Sequence, residues 1–453
     1  MQTNKFYLKK TATLSVPLVG SRLLHAANDF INMIIIAKLG IDALAAGSLI
    51  AATSATILLV SWAMLFSVAV VVGYSYGAKQ FSEVGKILKS GCVLALAIGI
   101  CASIVMWNAN HILALFRQSQ NSIALAMPYF HILALGIIPS LICVCFNEFA
   151  IGINKTYLVI IWRFLSTPIN IFLSYGLVLG KFGLPKIGIM GAALGYTITY
   201  WGLAIAIFIY FSYAKNYRIY CFAAACSTYQ YIKKLFTIGW PISIQLGAIM
   251  ASYTAFSYMM GWLGKPALAA CQIISQYAII VAMIPYGISQ TSSALTSQAF
   301  GTNKKDIHLA GFAGIYLGAT TVFLLSLVYW FMPKTLISVY LNINDPQNAL
   351  VISLTILFLY VNAAGQIFDA ISVCTLGALR GLHDTKIPMA ISITASWLIS
   401  VPIAYVLTFK CNLIFGINLG FALGSIFNAV CLIVRFKRGA SSYVPLSCLN
   451  KSA

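Results

Sequence analysis

The sequence predicts an all-α integral membrane protein, with twelve transmembrane helices in two six-helix lobes related by pseudo-two-fold symmetry. Three observations carry that expectation. Hydrophobic residues make up 61% of the chain and charged residues 8%, against roughly 45–50% and 25% in soluble domains. Apolar runs long enough to cross a bilayer, about 20 residues, follow one another from Thr11 to Arg435. The third observation is an internal repeat. Pro17, Leu39-Gly40, Ala43-Leu44-Ala45-Ala46 and Gly77 recur as Pro241, Leu263-Gly264, Ala267-Leu268-Ala269-Ala270 and Gly301, and 241−17, 264−40 and 301−77 all equal 224. Gly152 and Thr156 answer Gly381 and Thr385 at a shift of 229. In so apolar a chain, a repeat of half the length means two stacked membrane half-domains, an architecture found mostly in transporters.

The first expected span, 11–37, follows Lys9-Lys10 and stops at Lys38. It is too long for the apolar core of a cleaved leader and lacks a small-residue cleavage site, so it is expected to stay as the first helix. Spans 45–72 and 89–107 flank a charged connection over 79–89. Spans 124–151 and 157–180 are separated by Lys155, and span 188–213 follows the connection carrying Lys181 and Lys186. The second set repeats this order: 235–262, 267–298, 308–332, 348–379, 387–409 and 416–434. The longest connection, 214–234, is the expected domain boundary, with lobes at 1–213 and 235–453. Six helices per repeat start both lobes on the same side, so the relating axis runs along the membrane normal and a central cleft lies between them. Gly191 with Gly195, and Gly416 with Gly420 and Gly424, have the spacing of close helix packing.

A formal charge of +20 would suggest nucleic acid in a soluble protein, but its placement argues otherwise. Of 28 Lys and Arg, 19 fall in the two tails and the even-to-odd connections and seven in the opposite ones. That asymmetry is the positive-inside pattern and places both termini in the cytoplasm. Charges spread over separate segments form no nucleic-acid face. The 11 Cys are scattered without C-x-x-C spacing, which fits free thiols. No G-x-x-x-x-G-K-[ST] phosphate cradle occurs, so transport is expected to draw on a gradient rather than ATP. No metal-ligand spacing and no nucleophile–base pattern is present, so neither a catalytic nor a metal site is expected.

Eight acids remain to be placed. Asp42, Glu83, Asp306, Asp345 and Asp384 fall in expected loops, and Glu148, near Lys155, reads as structural. Asp29 and Asp369 fall inside helices, where a charge costs on the order of 3 kcal/mol. Arg22, His25 and Asp29 share one helix face, with Asn32 three residues on and Asn28 and Ser21 beside them. Such a stripe is either a cavity wall with Asp29 as cation or proton site, or an Arg22–Asp29 pair that neutralises itself. Asp369, in Gly365-Gln366-Ile367-Phe368-Asp369, can bind Na+, a proton or a cationic substrate, since a buried carboxyl can hold a proton at physiological pH. Arg163 either snorkels or lines the cytoplasmic mouth of the path. Asn170, Gln272, Gln276 and Gln366 are cavity groups or interhelical hydrogen-bond glue. Pro17, Pro168, Pro241, Pro285 and Pro402 free backbone carbonyls inside helices.

These landmarks resemble the multidrug and toxic compound extrusion (MATE) family, in its bacterial multidrug-efflux branch. The matching text is Pro17 with Leu39-Gly40 through Ala46, its repeat from Pro241 through Gln272, and Pro168-Ile169-Asn170 leading to Tyr175-Gly176. It continues with Gly180 to Pro185, Gly188 to Gly191, Tyr200-Trp201, and Gln366 through Asp369 into Gly377 to Thr385 and Pro388. The resemblance implies two six-helix lobes in a V shape, rocking between outward-open and inward-open states. It implies export of bulky, often cationic amphiphiles in exchange for Na+ or H+. Asp369 matches the family's acidic position in helix 10. The family's helix-1 aspartate falls on Asn32, its helix-7 glutamate on Ile249, and its histidine before Gln272 on Cys271.

The expected function is therefore secondary active multidrug export by alternating access, coupled through Asp369, Asp29 or both. Arg22, His25, Asn28, Asn32, Asn170, Gln272 and Gln366 are the expected cavity residues. No cofactor is expected beyond the coupling ion, H+ or Na+. The expected partners are small-molecule substrates and the lipid bilayer, the location is the bacterial plasma membrane, and the chain is expected to act as a monomer. The rival in the same superfamily is a flippase for a lipid-linked or specialised metabolite, which would want more than Arg22 and Arg163 for phosphates. An intramembrane enzyme would need a constellation that the sequence does not show.

Overall fold

In lipid every backbone N–H and C=O must be satisfied within the chain, so long apolar runs fold as helices. A computed structural model describes residues 4–115, 120–214, 229–302, 304–343 and 345–442. The described residues are helical apart from short turns. Twelve long helices follow in order: α1 Asn4–Ala37, α2 Ile41–Gly77, α3 Phe81–Trp107, α4 Gln120–Gly152, α5 Thr156–Leu179 and α6 Met190–Tyr213. Then come α7 Tyr229–Trp262, α8 Lys265–Thr302, α9 Lys304–Phe331, α10 Ala349–Gly381, α11 Lys386–Lys410 and α12 Gly416–Ser442. Two short helices, Ala109–Leu115 and Pro333–Ser338, lie in the connections after α3 and α9.

Eleven of the twelve are long and apolar enough to cross a membrane by length and composition alone. The exception is α1, which carries Lys5, Lys9, Lys10, Arg22 and Asp29. Most helices extend beyond the spans expected from hydropathy, by a turn or more at α1, α2 and α3. Hydropathy sees only the hydrocarbon layer, whereas a helix continues as long as its backbone bonds do. Charged residues expected in loops consequently belong to helices: Asp42 falls in α2, Glu83 and Asp306 in the first turns of α3 and α9, and Arg380 in the last turn of α10. The expected linker 214–234 lies, for 215–228, outside the described residues.

The chain forms two compact units, Gly20–Ser243 and Met1–Val19 with Ile244–Ala453. Both boundaries fall inside helices, α1 and α7, at positions 224 apart (243−19). In the first unit α4 is central, packed against α2, α3 and α6, while α5 packs on α6. In the second unit α10 is central, packed against α8, α9 and α12, while α11 packs on α12. The main packing of α2–α6 is thus repeated by their counterparts α8–α12.

The repeat reaches individual contacts. A Cβ on Gly152 would sit 3.1 Å from the Ala69 carbonyl oxygen, and one on Gly381 would sit 2.6 Å from that of Ser293. Ala69 and Ser293 are themselves repeat mates, 224 apart. Both helices also end in the same cap. Lys155 and Asn154 donate to the carbonyls of Ala150 and Ile151, while Asp384 and His383 donate to those of Leu379 and Arg380. Asn154 and His383 take the left-handed conformation that closes such a cap, with φ of 61° and 62°. The glycines of α12 do what their spacing suggests: a Cβ on Gly420 would meet Ala404 at 2.6 Å, so α11 and α12 touch backbone to backbone. α11 is locally widened to π-helix at Thr394–Ser400 and Val406–Lys410, on either side of Pro402.

Tyr–carboxylate contacts fix the N-terminal ends of α1 and α7, again at repeat-related positions. Tyr231 hydrogen-bonds Glu83 of α3, which also accepts from Lys86 at 3.2 Å, within the first unit. Its mate Tyr7, 224 residues earlier, faces Asp306 of α9 in the second unit. Burial, aided by the Asp306 charge, pushes the Tyr7 hydroxyl up to about 12, so it stays a protonated donor at physiological pH.

Candidate functional site

Each unit holds its own set of polar groups. In the first, the 3.6-residue period of α1 brings Arg22, His25, Asn28, Asp29 and Asn32 along one side of the helix. Asn32 donates to the Asn28 carbonyl at 2.9 Å and to Oδ1 of Asn170 on α5 at 3.0 Å. Asn170 is buried, so Asn32, where the resemblance implies an aspartate, here forms an amide–amide clasp between two helices. Asp29 remains 66% exposed, and its carboxylate is 3.7 Å from Nδ1 of His25. The imidazole packs against Trp62 of α2, ring centroids 5.5 Å apart. Arg22 is half-buried beside this group.

Residues outside the α1 stripe complete the set. Arg163, two turns into α5, donates from Nη1 to the Tyr200 hydroxyl of α6 at 3.0 Å. Tyr196 and Tyr200 stand one turn apart with ring centroids 4.3 Å apart. Trp62, Asn147, Trp162, Arg163, Ser166 and Tyr200 surround a pocket of about 30 Å³. Arg163 thus faces a pocket inside the helix bundle of the first unit. The sequence marked Arg163 by its charge alone; that Tyr200, Trp62 and Asn147 join it depends on the packing of α2, α4 and α6, which no local pattern encodes.

In the second unit Asp369 is half-buried on α10, three residues beyond Gln366, which is buried and donates to Asn362 Oδ1 at 2.8 Å. The Tyr253 hydroxyl of α7 lies within the field of the Asp369 carboxylate. Gln272 is exposed on α8. Cys271 is half-buried next to Ser275, whose hydroxyl donates to the Cys271 carbonyl at 2.8 Å. Ile249 is half-buried on α7. Asp29 and Asp369 therefore belong to different units.

Further along the second unit lies a buried cluster that the sequence did not announce. Gln245 of α7, 2% exposed, donates to Ser392 Oγ at 2.8 Å and accepts from Arg380 Nη2 at 3.2 Å. Ser392 in turn donates to Asn428 Oδ1 of α12 at 3.3 Å. Arg380 was expected among the loop charges, which hid it. Glu148 is buried at 3% exposure. Eight cysteines of the described residues are free thiols, and no group of three or more His, Cys, Asp or Glu comes together among the described residues.

Apolar helices in two internally repeated six-helix sets, with sparse ionisable groups held among them, define a multi-pass membrane transporter. The sequence profile of the MatE family matches residues 17–176 and 241–406, once in each half. The multidrug resistance protein NorM of Burkholderia vietnamiensis is 31% identical over 444 residues, covering 96% of this chain and 94% of that protein. A probable multidrug resistance protein NorM of Burkholderia pseudomallei is 32% identical over 438 residues, 95% of this chain and 93% of that protein. Among solved structures, an outward-facing multidrug resistance MATE family transporter of the MOP superfamily matches with a TM-score of 0.86 at 16% identity, over 96% of each chain. The eukaryotic MATE transporter AtDTX14 matches with a TM-score of 0.81 at 18% identity, over 97% of each chain. At such identities the structures show the shared fold. The chain belongs to the MATE family of transporters.

Proposed function

We propose that the protein exports bulky, cationic amphiphiles in exchange for H+ or Na+ by alternating access. The observation that carries this reading is Asp369: a half-buried carboxylate on α10, one turn beyond the Gln366–Asn362 pair and within electrostatic reach of Tyr253. One carboxylate that takes either a small cation or a cationic substrate gives competition, and competition is what exchange requires. The coupling is bounded by the difference in affinity between the two states, typically 1–3 kcal/mol. Asp29, exposed on the other unit near His25, is the second acid assigned to coupling. The relatives bear multidrug resistance names, which supports a broad amphiphile class. The chain acts as a monomer in the bacterial plasma membrane with both termini cytoplasmic, the positive-inside pattern supporting that orientation. It performs no covalent chemistry on its cargo.

The test is ethidium efflux from cells lacking their own pumps, under imposed Na+ or pH gradients. Wild type should show gradient-driven efflux, and Asp369→Asn should lose at least tenfold of it at equal expression. Efflux that survives in an Asp29→Asn, Asp369→Asn double variant would overturn the assignment of coupling. Absence of efflux in well-expressed wild type would overturn the drug-export reading and favour the flippase.

A further inference from the structure

We propose that the pocket at Arg163 in the first unit is a binding site for a small monovalent anion, either the carboxylate of a cargo molecule or an inorganic halide. Three observations converge on it. First, Arg163 carries five N–H donors, and one of them meets the Tyr200 hydroxyl at 3.0 Å. Among the described residues no carboxylate lies within 4.0 Å of it. Asp29 is the acid whose charge Arg163 senses, but its carboxylate stands exposed beside His25. A guanidinium held within a membrane bundle without an ion-pair partner is expensive and marks a functional position.

Second, the pocket offers further donors. The Trp62 indole Nε1–H is fully buried with no hydrogen-bond partner, and Trp62 lines the same pocket as Arg163. Asn147 lines it too, and its Oδ1 is likewise buried and unpaired. A half-turn of that amide presents its two N–H donors to the pocket instead. Indole and guanidinium donors around one space form a site for an acceptor with negative charge, because indole can only donate and guanidinium has no acceptor. Third, the space fits. At about 30 Å³ it exceeds the roughly 10–15 Å³ that a single water needs, which leaves room for a halide or a carboxylate head. The walls from Trp62, Trp162 and Tyr200 keep the local dielectric low, which strengthens a single charge-assisted pair.

This site does not depend on the cation exchange assigned to Asp369, and the two fail separately. The experiment is binding to purified protein in nanodiscs, read by intrinsic tryptophan fluorescence. Sodium acetate or sodium chloride is titrated at constant ionic strength against sulfate, a strongly hydrated dianion that a site built for a single monovalent head does not dehydrate. Wild type should show a saturable change. Arg163→Gln should weaken it at least tenfold, Trp62→Phe should weaken it severalfold while keeping the ring, and Asp29→Asn should strengthen it by removing the competing charge. A response to acetate alone identifies a cargo carboxylate, and one to chloride alone identifies an inorganic anion. A non-saturating response, or one unchanged in both Arg163→Gln and Trp62→Phe, overturns the proposal. If Arg163→Gln does not fold, Trp62→Phe and Tyr200→Phe decide: full retention of binding in both overturns it.

Discussion

Arg435→Gln should destabilise the second unit by about 3 kcal/mol, more than its place near a helix end would suggest. Arg435 Nε is 2.8 Å from Asp384 Oδ2; the Arg435 side chain is 33% exposed and the Asp384 side chain 7%. Removing the partner of a buried charge costs about 3–5 kcal/mol because the remaining charge stays desolvated. The partial exposure of this pair puts it at the low end. Asp384→Asn is the milder change, about 1–2 kcal/mol, since the amide still accepts and the guanidinium can turn to water. The double variant should then resemble Asp384→Asn alone, with a coupling on the order of 1–3 kcal/mol. The pair matters because it ties the turn after α10, held by the left-handed His383, to α12. The assay is reversible unfolding of the purified protein in mixed detergent micelles, for wild type, both single variants and the double. The reasoning is refuted if the two single losses sum to that of the double within about 0.5 kcal/mol, or if Arg435→Gln costs less than Asp384→Asn.

Three further outcomes follow from contacts already described. Gly381→Val should cost several kcal/mol, since its first carbon alone would sit 2.6 Å from the Ser293 carbonyl oxygen. Gly202→Ala, with nothing within 4 Å of its added carbon, should be neutral or stabilising by up to about 1 kcal/mol; thermal shift of both compares them. Asn32→Leu should weaken the α1–α5 clasp by about 1 kcal/mol, mostly through the stranded Asn170 amide, and Asn32→Asp should weaken it at least as much at neutral pH, because a carboxylate cannot donate the two bonds that Asn32 Nδ2 makes; an unchanged melting temperature in both variants refutes the clasp. Tyr7→Phe should lower the melting temperature by a constant amount between about pH 7 and pH 9. The Tyr7 hydroxyl is pushed up to about 12, above its ordinary value of about 10, so its contribution is complete below that ordinary value and is lost only as pH rises through about 12. A difference that shrinks by pH 9 refutes the Tyr7–Asp306 contact.

The scaffold was legible in the sequence because it rests on one-dimensional signals. Apolar runs give helices, and a shared register gives a shared packing, down to Gly152 and Gly381 meeting Ala69 and Ser293. Helix ends were less legible, since α3 begins at Phe81 and carries Glu83 through its first turn, where hydropathy reads a loop. The polar groups divided by how local their partners are. The α1 stripe was visible because its members are a helical turn apart. The Arg163–Tyr200 and Gln245–Arg380–Ser392 contacts join residues separated by 37 and 135 or more positions, and nothing in the period of one helix points to the partner on another. Neutral glutamine, serine and tyrosine also draw no notice until a charged neighbour makes their hydrogen bonds costly to lose.

The same repeat that preserves the packing discards the chemistry, and this separates support from function. Applying the 224 shift to α1, Asp29 corresponds to Tyr253 and His25 to Ile249. Applying the 229 shift, Asp369 corresponds to Ser140 and Arg163 to Ser392. Ser392 is tied into the Gln245 and Asn428 network, whereas Arg163 faces a pocket shared with the unpaired Trp62 Nε1–H. Two units with equivalent polar groups would respond alike to a given ion or cargo. Units that keep the same helix contacts but carry different charges can answer to different ligands, a cation at Asp369 and an anion at Arg163, while sharing one mechanical frame. The residues that break the repeat are therefore the ones whose substitution should change what binds, and those that keep it, Gly152, Gly381 and the caps after them, should change only whether the units hold together.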